Sequence, residues 1–566
     1  MAKYEPFGVI PLSDRQWPSH SLTKAPVWCS VDLRDGNQAL RAPMSVEQKL
    51  EFFDLLVRIG FKEIEVGFPA SNDTEYTFVR RLIDEGRIPD DVTIQVLSQA
   101  RGHLVKQTMQ AVAGAKNVIF HLYNAISPVH REFTFGKSKD ELVALAVEGV
   151  KNIQQYASLA GEGVTIRLEY SPEDFSGAET DFAVDICSAV IDAWEPTPSN
   201  PLILNLPTTV EHAMANVYAD QVELFIRGIE SRAFSSIESA PVKRGAVIIS
   251  LHNHNDRGTG VACCELGLLA GATRVEGTLF GNGERTGNLD IVTVALNMKT
   301  QGVDPCLDFS HIIDIVSAYT RLTGMAVPPR QPYGGELVFT AFSGSHQDAI
   351  RKALSARTHA NKPDARWDIP YLPIDPRDVG RQYQEIIRVN AQSGKGGAAW
   401  VLEQEYGILL PKGMLASVGA AVKKQADYRQ RELEPSEVFA IFKAGWLNTS
   451  SPLSVLDLAE THVDGSDASD NVLCRAGVLW QGEKYAIGAK GNGPLAAFAA
   501  ALEQTPVPRF TISAFHEHAI GEGSDTEAMA YVELSFTDGS RHWGCGRSTN
   551  IGRAGVYAIV SAINRV

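Results

Sequence analysis

"AVIISLHNHNDRG", residues 246–258, sets six mostly apolar residues directly before two histidines, His252 and His254, spaced two positions apart. On a helix, residues two apart point to nearly opposite sides; on a strand they share a face. If 246–251 is a strand, both imidazoles leave its C-terminal end side by side. Asp256 follows, and reads as the N-terminal cap of the next helix.

Seven other short runs have the same character: "VWCSVD" (27–32), "KEIEVGF" (62–68), "VTIQVL" (92–97), "NVIFHLY" (117–123), "VTIRLEY" (164–170), "LILNL" (202–206) and "TRVEGTLF" (273–280). Most are rich in Val, Ile and Leu, as strands of an all-parallel sheet tend to be. Helix-like stretches separate them, such as "MSVEQKLEFFDLLVRIG" and "SKDELVALAVEGVKNIQQYASLA". Eight βα repeats predict an α/β fold with a (β/α)8 TIM barrel over 27–305, behind an N-terminal extension, 1–26. A doubly wound open sheet is the alternative, and the regular repeat count favours closure.

Beyond the barrel the rhythm changes twice. Residues 306–435 are rich in Pro and Gly and broken by helical runs, which predicts helical or irregular connector subdomains. "QSGKGG" at 392–397 lacks phosphate-loop spacing and the following Ser/Thr, so it reads as a turn. Residues 436–566 alternate strand-like segments with two Ala-rich helices. There "AIGAKGNGPLAAFAAALEQ" (486–504) and "GCGRSTNIGRAGVYAIVSAIN" (544–564) look like copies of one strand–turn–helix unit, predicting an α+β domain with an internal repeat.

Composition excludes several functions. A net charge of −15 with no basic block argues against nucleic acid as a partner. No apolar stretch is long enough to span a bilayer, and the N-terminus shows no signal-peptide pattern. Seven cysteines, an odd number without a CxxC pair, fit a reduced, cytoplasmic chain.

A TIM barrel keeps its chemistry at the C-terminal ends of its strands. There this sequence places Arg34 and Asp35 after the first run, Glu65 on the second, His121 on the fourth, Glu169 on the fifth, Thr208 and Thr209 after the sixth, and His252 and His254 after the seventh. Two imidazoles and the Asp35 carboxylate make a facial set for a divalent metal; the alternative is that the histidines merely cap the strand. Asn288, at the end of the Gly-rich 281–288 loop, suits either an amide-oxygen ligand or a helix cap. Arg34 suits an anionic substrate or an ion pair with Asp35. His121 and Glu169 suit acid–base work or a structural role.

The motifs "DLRDGNQA", "HNHNDRGTGVA", "EGTLFGNGERTGN", "AFSGSHQDAI" and "IPYLPIDPRDVGR" resemble those of the 2-isopropylmalate synthases, in the long form with a C-terminal regulatory domain. The resemblance spans nearly the whole chain. It implies condensation of acetyl-CoA with 3-methyl-2-oxobutanoate to give 2-isopropylmalate and CoA, the first committed step of leucine synthesis. By the same resemblance, Asp35, His252 and His254 match metal ligands, with Asn288 near or on the metal. Mg²⁺ is favoured, with Mn²⁺ or Zn²⁺ as alternatives. Arg34 matches the arginine beside the keto carbonyl, and His121, Glu169 and Thr209 match residues around the keto acid. His346 and Tyr371 match residues that the family's second subdomain carries to the acetyl-CoA side of the partner subunit's site. His346 is the first choice for the base and Glu169 the second. The repeated domain would bind leucine at a homodimer interface and inhibit the enzyme. Homocitrate and citramalate synthases share much of the barrel signature and are the competing reading. Related lyases use a Cys in the loop after strand eight, and "FGNGERTGN" has none.

Overall fold

The computed structural model describes residues 7–232, 242, 245–360, 365–385, 395–429, 433–463, 471–521 and 526–566. The chain divides into two compact units, Met1–Phe339 with Leu372–Tyr383, and Thr340–Tyr371 with Gln384–Val566. Residues 306–435 are thus shared between the units.

In the first unit, all eight apolar runs form strands: β1 (Val27–Ser30), β2 (Glu63–Gly67), β3 (Thr93–Gln99), β4 (Asn117–Ala125), β5 (Thr165–Glu173), β6 (Leu202–Thr208), β7 (Val247–Asn253) and β8 (Arg274–Gly277). They close into a parallel barrel, with β1 paired to both β2 and β8. The open-sheet alternative is excluded. Helices α1 (Val46–Ile59), α2 (Asp73–Asp84), α3 (Gly102–Ala111), α4 (Lys139–Tyr156), α5 (Thr180–Trp194), α6 (Ala215–Arg232), α7 (Gly260–Leu269) and α8 (Ile291–Thr300) follow the strands in turn.

Local sequence explains the clearest boundaries. Helices α1 and α4 each begin with a reciprocal capping box, Ser45 with Gln48 and Ser138 with Glu141, which satisfies two otherwise unpaired N–H groups. Helix α1 stops at Gly60, whose φ of 112° is costly for a residue with a Cβ. The N-terminal extension is strapped to α6: Arg15 and the Trp17 indole both bond Asp220, and the backbone N–H groups of Gln16 and Trp17 bond Glu223. Helix α9 (Ile312–Thr323) packs against α1 through the edge-to-face pair Phe52–Tyr319.

The barrel interior carries a charged layer that the sequence reading does not anticipate. Arg274 of β8 is fully buried and ion-pairs Glu63 at 2.6 Å, Glu276 at 3.0 Å and Glu169 at 3.1 Å, and also donates to Gln95 and Ser250. Such a network is tolerable in an interior because its charges are mutually paired.

In the second unit, the short strands β9 (Thr340–Ala341) and β10 (Gln384–Glu385) pair in parallel, and α10 (Gly344–His359) follows β9. The "QSGKGG" turn lies outside the described residues at 392–394, and Lys395 opens α11 (Lys395–Tyr406). Helices α12 (Leu415–Arg429) and α13 (Pro435–Trp446) complete a helical layer whose core includes Leu402, Val418, Phe442 and the sheet residues Tyr531 and Cys545.

The C-terminal repeat is larger than predicted. Each copy is a three-stranded antiparallel sheet followed by a helix: β11 (Leu453–Val463), β12 (Asn471–Trp480), β13 (Glu483–Gly491) and α14 (Pro494–Leu502), then β14 (Phe510–Ile520), β15 (Glu527–Phe536), β16 (Arg541–Ser548) and α15 (Ile551–Ile563). The first strand of each copy carries a bulge, at Val455/Asp457 and Ile512/Ala514. Glycines bring each helix onto its sheet: a Cβ at Gly491 would lie 2.4 Å from Ala497 N, and one at Gly546 1.9 Å from Ala554 O. Strand β11 is missing from the sequence reading because it is a half-exposed sheet edge with Asp457, Glu460 and His462 in its run.

Seven cysteines are free, and all but Cys306 are buried. Among the described residues, no helix is long and apolar enough to cross a membrane.

Candidate active site

The barrel mouth is built by strand alternation. Strand β7 aims His252 into the mouth, and His254 follows two residues on, with the two rings 5.5 Å apart. The chain after β1 winds into a π-helical turn, Asp32–Gly36, that carries Asp35 across to them. His252 Nε2 lies 3.1 Å and His254 Nε2 3.8 Å from Asp35 Oδ2. Among the described residues, Asp35, His252 and His254 are the one acidic or imidazole group with donor atoms all within 4.8 Å of one another.

The residues fit a divalent cation on three counts. First, burial opposes ionisation of Asp35, but Arg34 and the two histidines outweigh it and hold the carboxyl far below its usual range. Second, His252 Nδ1 donates to Glu276 Oε2 at 2.8 Å, which leaves Nε2 as the atom facing Asp35. Third, the buried Asn288 Oδ1 has no protein partner and belongs to a residue bridged to His254, which leaves a further neutral oxygen donor beside the set. Burial disfavours charge on His252, yet Asp35 and Glu276 raise its pKa to about 9, whereas burial and the neighbouring His252 lower His254 to about 4.

Asn288 bridges backbone to backbone with His254, and its buried Oδ1 has no protein partner. The cap of α8 is Asp290, which accepts from Thr293 N, so the helix-cap alternative for Asn288 does not hold. The Asp256 expectation also needs correction. Helix α7 begins after Thr259 without a side-chain cap, and Asp256 instead ion-pairs Arg285 at 2.7 Å and accepts the Glu211 N–H. A guanidinium delivered by the loop after β8 wins over a local backbone donor.

A cavity of about 250 Å³ opens beside the cluster, lined by Arg34, Asp35, His121, Glu173, Thr209, His252 and His254, with Leu97 and Pro207 among its apolar walls. That is smaller than the roughly 300–1,000 Å³ usual for drug-sized ligands and suits a small acid. Arg34 both ion-pairs Asp35 at 3.0 Å and bonds Glu65 at 2.6 Å, which aims the guanidinium along the cavity wall. His121 is held from both sides, Nδ1 to Glu65 at 2.8 Å and Nε2 to Ser171 Oγ at 2.8 Å. Thr208 does not line the cavity; its hydroxyl accepts the His254 N–H.

Glu169 occupies a different place from the one expected of a base. It is fully buried, does not line the cavity, and lies 3.1 Å from Arg274 and 3.5 Å from His121 Nε2. Burial pushes its carboxyl well above the usual range despite Arg274. Four residues further along the same strand face, Glu173 reaches the cavity, and burial raises its carboxyl too. Ser171, Glu173 and Glu276 are absent from the sequence reading. Extending the two-residue alternation past the apolar run of β5, and along β8, would have found all three. His346 and Tyr371 belong to the second unit, where their rings stack with centroids 3.9 Å apart; Tyr371 is 61% exposed.

A parallel barrel with a facial Asp–His–His set at its C-terminal mouth defines a metal-dependent barrel enzyme, and residues 25–318 match the HMGL-like family model. Residues 336–403 match the alpha-isopropylmalate synthase post-catalytic domain-like model, and 432–566 match the LeuA allosteric (dimerisation) domain. The chain belongs to the 2-isopropylmalate synthase family, whose members are condensing enzymes of the acyltransferase type. It is 48% identical to the 2-isopropylmalate synthase of Clostridium acetobutylicum, covering 100% of this chain and 99% of that one. It is 47% identical to that of Acetoanaerobium sticklandii (100% and 96%) and 46% identical to that of Rhodospirillum rubrum (100% and 98%). A hydroxymethylglutaryl-CoA lyase structure from Bacillus subtilis aligns with a TM-score of 0.41 and 18% identity over 55% of this chain and 97% of that one.

Proposed function

We propose that the barrel condenses acetyl-CoA with 3-methyl-2-oxobutanoate and water to give 2-isopropylmalate and CoA, and that leucine inhibits it through the C-terminal repeat of a homodimer. The observation carrying this reading is the Asp35–His252–His254 set beside a small cavity that also holds Arg34. Asp35, His252 and His254, with the Asn288 amide oxygen, would hold Mg²⁺, or Mn²⁺ or Zn²⁺ in its stead. When bound, the ion supplies a Lewis acid and a template for an oxygen-rich 2-oxo acid.

The residues divide the remaining work. Thr209 and His121 orient the acid, with Leu97 and Pro207 against its isopropyl group. His346, beside Tyr371 and contributed by the partner subunit as the family resemblance implies, takes a proton from the acetyl methyl group. The resulting carbanion attacks the 2-oxo carbon, and Arg34 donates to the developing alkoxide. Water then cleaves the thioester and releases CoA. Glu173 takes over from Glu169 as the second acid–base group, because it faces the cavity and burial raises its pKa. Glu169 acts behind His121, as part of the layer that fixes it.

The test supplies purified protein with acetyl-CoA, Mg²⁺ and a panel of 2-oxo acids, and follows released thiol. Thiol release is expected with 3-methyl-2-oxobutanoate and should fall when leucine is added. Release with pyruvate or 2-oxoglutarate alone would move the assignment to a citramalate or homocitrate synthase.

A further inference from the structure

At the end of β5, next to Glu173, two histidines and a serine converge on one carboxylate. His212 Nε2, from the loop after β6, donates to Asp174 Oδ1 at 3.1 Å. His130 Nδ1, from the loop after β4, lies 3.4 Å from Asp174 Oδ2 and 2.9 Å from Ser127 Oγ. The spacing is wrong for a metal, since no such group here brings its donor atoms within 4.8 Å. The cluster instead ties three loops of the barrel mouth together.

The backbone beside it is held with equal care. Asp174 has φ 59° and ψ 39°, a left-handed conformation that Asp and Asn tolerate better than other non-glycine residues. The Glu173 carbonyl accepts the Ile126 N–H at 3.0 Å, and the Asp174 N–H donates to Thr209 Oγ1 at 2.9 Å. The peptide that joins Glu173 to Asp174 is therefore bonded on both sides, by the residue that follows β4 on one and by a cavity-lining threonine on the other. Gly177 completes the packing, because a Cβ there would lie 2.8 Å from His212 Nε2 and 3.1 Å from both Asp174 oxygens.

We propose that Asp174 is a positioning residue: gripped by His130 and His212, it holds the end of β5 so that Glu173 faces the 2-oxo acid. The proposal rests on the role given to Glu173 above. Glu173, opposite Ala125, is the last residue of β5, and no strand pairing holds the chain beyond it. The clamp supplies what the sheet cannot, and it joins Glu173 to Thr209, two groups that must meet the same small substrate. A misplacement of about 1 Å in such a group can cost about a hundred-fold in rate.

The experiment is a double-mutant cycle on the full-length protein with Mg²⁺, acetyl-CoA and 3-methyl-2-oxobutanoate. Asp174→Ala is expected to lower kcat by about ten- to a hundred-fold, with a much smaller change in KM for the 2-oxo acid. Asp174→Asn keeps an acceptor oxygen and the left-handed backbone, and should recover part of the loss. In an Glu173→Gln background, Asp174→Ala should lower kcat little further, because the group it positions is already gone. His212→Asn removes one arm of the clamp without touching the β5 backbone, and serves the same cycle if Asp174→Ala fails to fold. Additive losses in the double variants, or unchanged kcat in Asp174→Ala and His212→Asn, would overturn the proposal. Wild-type kcat in Glu173→Gln alone would remove the role of Glu173 and the proposal with it, whereas the condensation reading fails only if the unaltered protein releases no thiol.

Discussion

Glu276 accepts the His252 Nδ1 proton at 2.8 Å while the same ring turns Nε2 toward Asp35 at 3.1 Å, so one carboxylate orients the imidazole that we propose faces the metal. The two residues are register partners on β7 and β8. Glu276→Gln is expected to weaken divalent-metal binding by about 10–100-fold, in line with the cost of losing outer-sphere partners elsewhere. Titration calorimetry of the variant with Mg²⁺ or Mn²⁺ checks this; wild-type affinity would reduce Glu276 to a member of the charged layer.

His252→Ala should lose metal binding and thiol release together while keeping the barrel. A ligand that binds only the folded state stabilises it by about 2.7 kcal/mol at a hundred times its dissociation constant. Added Mg²⁺ should therefore raise the melting temperature of the unaltered protein and leave that of the variant unmoved.

Arg274→Leu tests the charged layer. Removing the guanidinium leaves Glu63, Glu169 and Glu276 buried without their shared cation. Breaking a buried pair in this way costs about 3–5 kcal/mol, to be read as a lower denaturant midpoint. A loss under about 1 kcal/mol, the scale of surface pairs, would mean that water or protons relieve the carboxylates.

Acid sensitivity should show the Arg131–Glu179 pair, which links the loop after β4 to the start of α5. The Arg131 hydrogen bond chiefly lowers the Glu179 pKa from 4.5 to about 2. A carboxyl depressed by folding adds stability that is complete above its unfolded pKa and is lost as pH falls toward the folded one. The contribution should therefore fade between about pH 4.5 and 2, and because Glu179 is 43% exposed it should stay below about 1 kcal/mol. Urea midpoints of Glu179→Gln across that window should vary less with pH than those of the parent.

Cys306 should be the one thiol that reacts readily with an aromatic disulfide reagent in the native protein, since the other six are buried. Burial also pushes several of those thiols, Cys187 and Cys264 among them, above their usual range, which lowers their thiolate fraction. Cys306→Ser should abolish the rapid phase.

Much of the site is written locally in the chain. Strand alternation alone puts His252 and His254 on one face, and eight apolar runs at regular spacing specify a barrel whose mouth collects Arg34, Asp35 and His121. These features depend on residues near one another, where backbone geometry dictates direction. Tertiary structure decided what depends on long-range charge and depth. It buried Glu169 against Arg274 and left Glu173 at the cavity, it paired Asp256 with Arg285 instead of with its own helix, and it drew Asp174 between histidines of two other loops. Each of these turns on which charged group, distant in sequence, arrives first at a desolvated carboxylate, and periodicity along one segment carries no record of that.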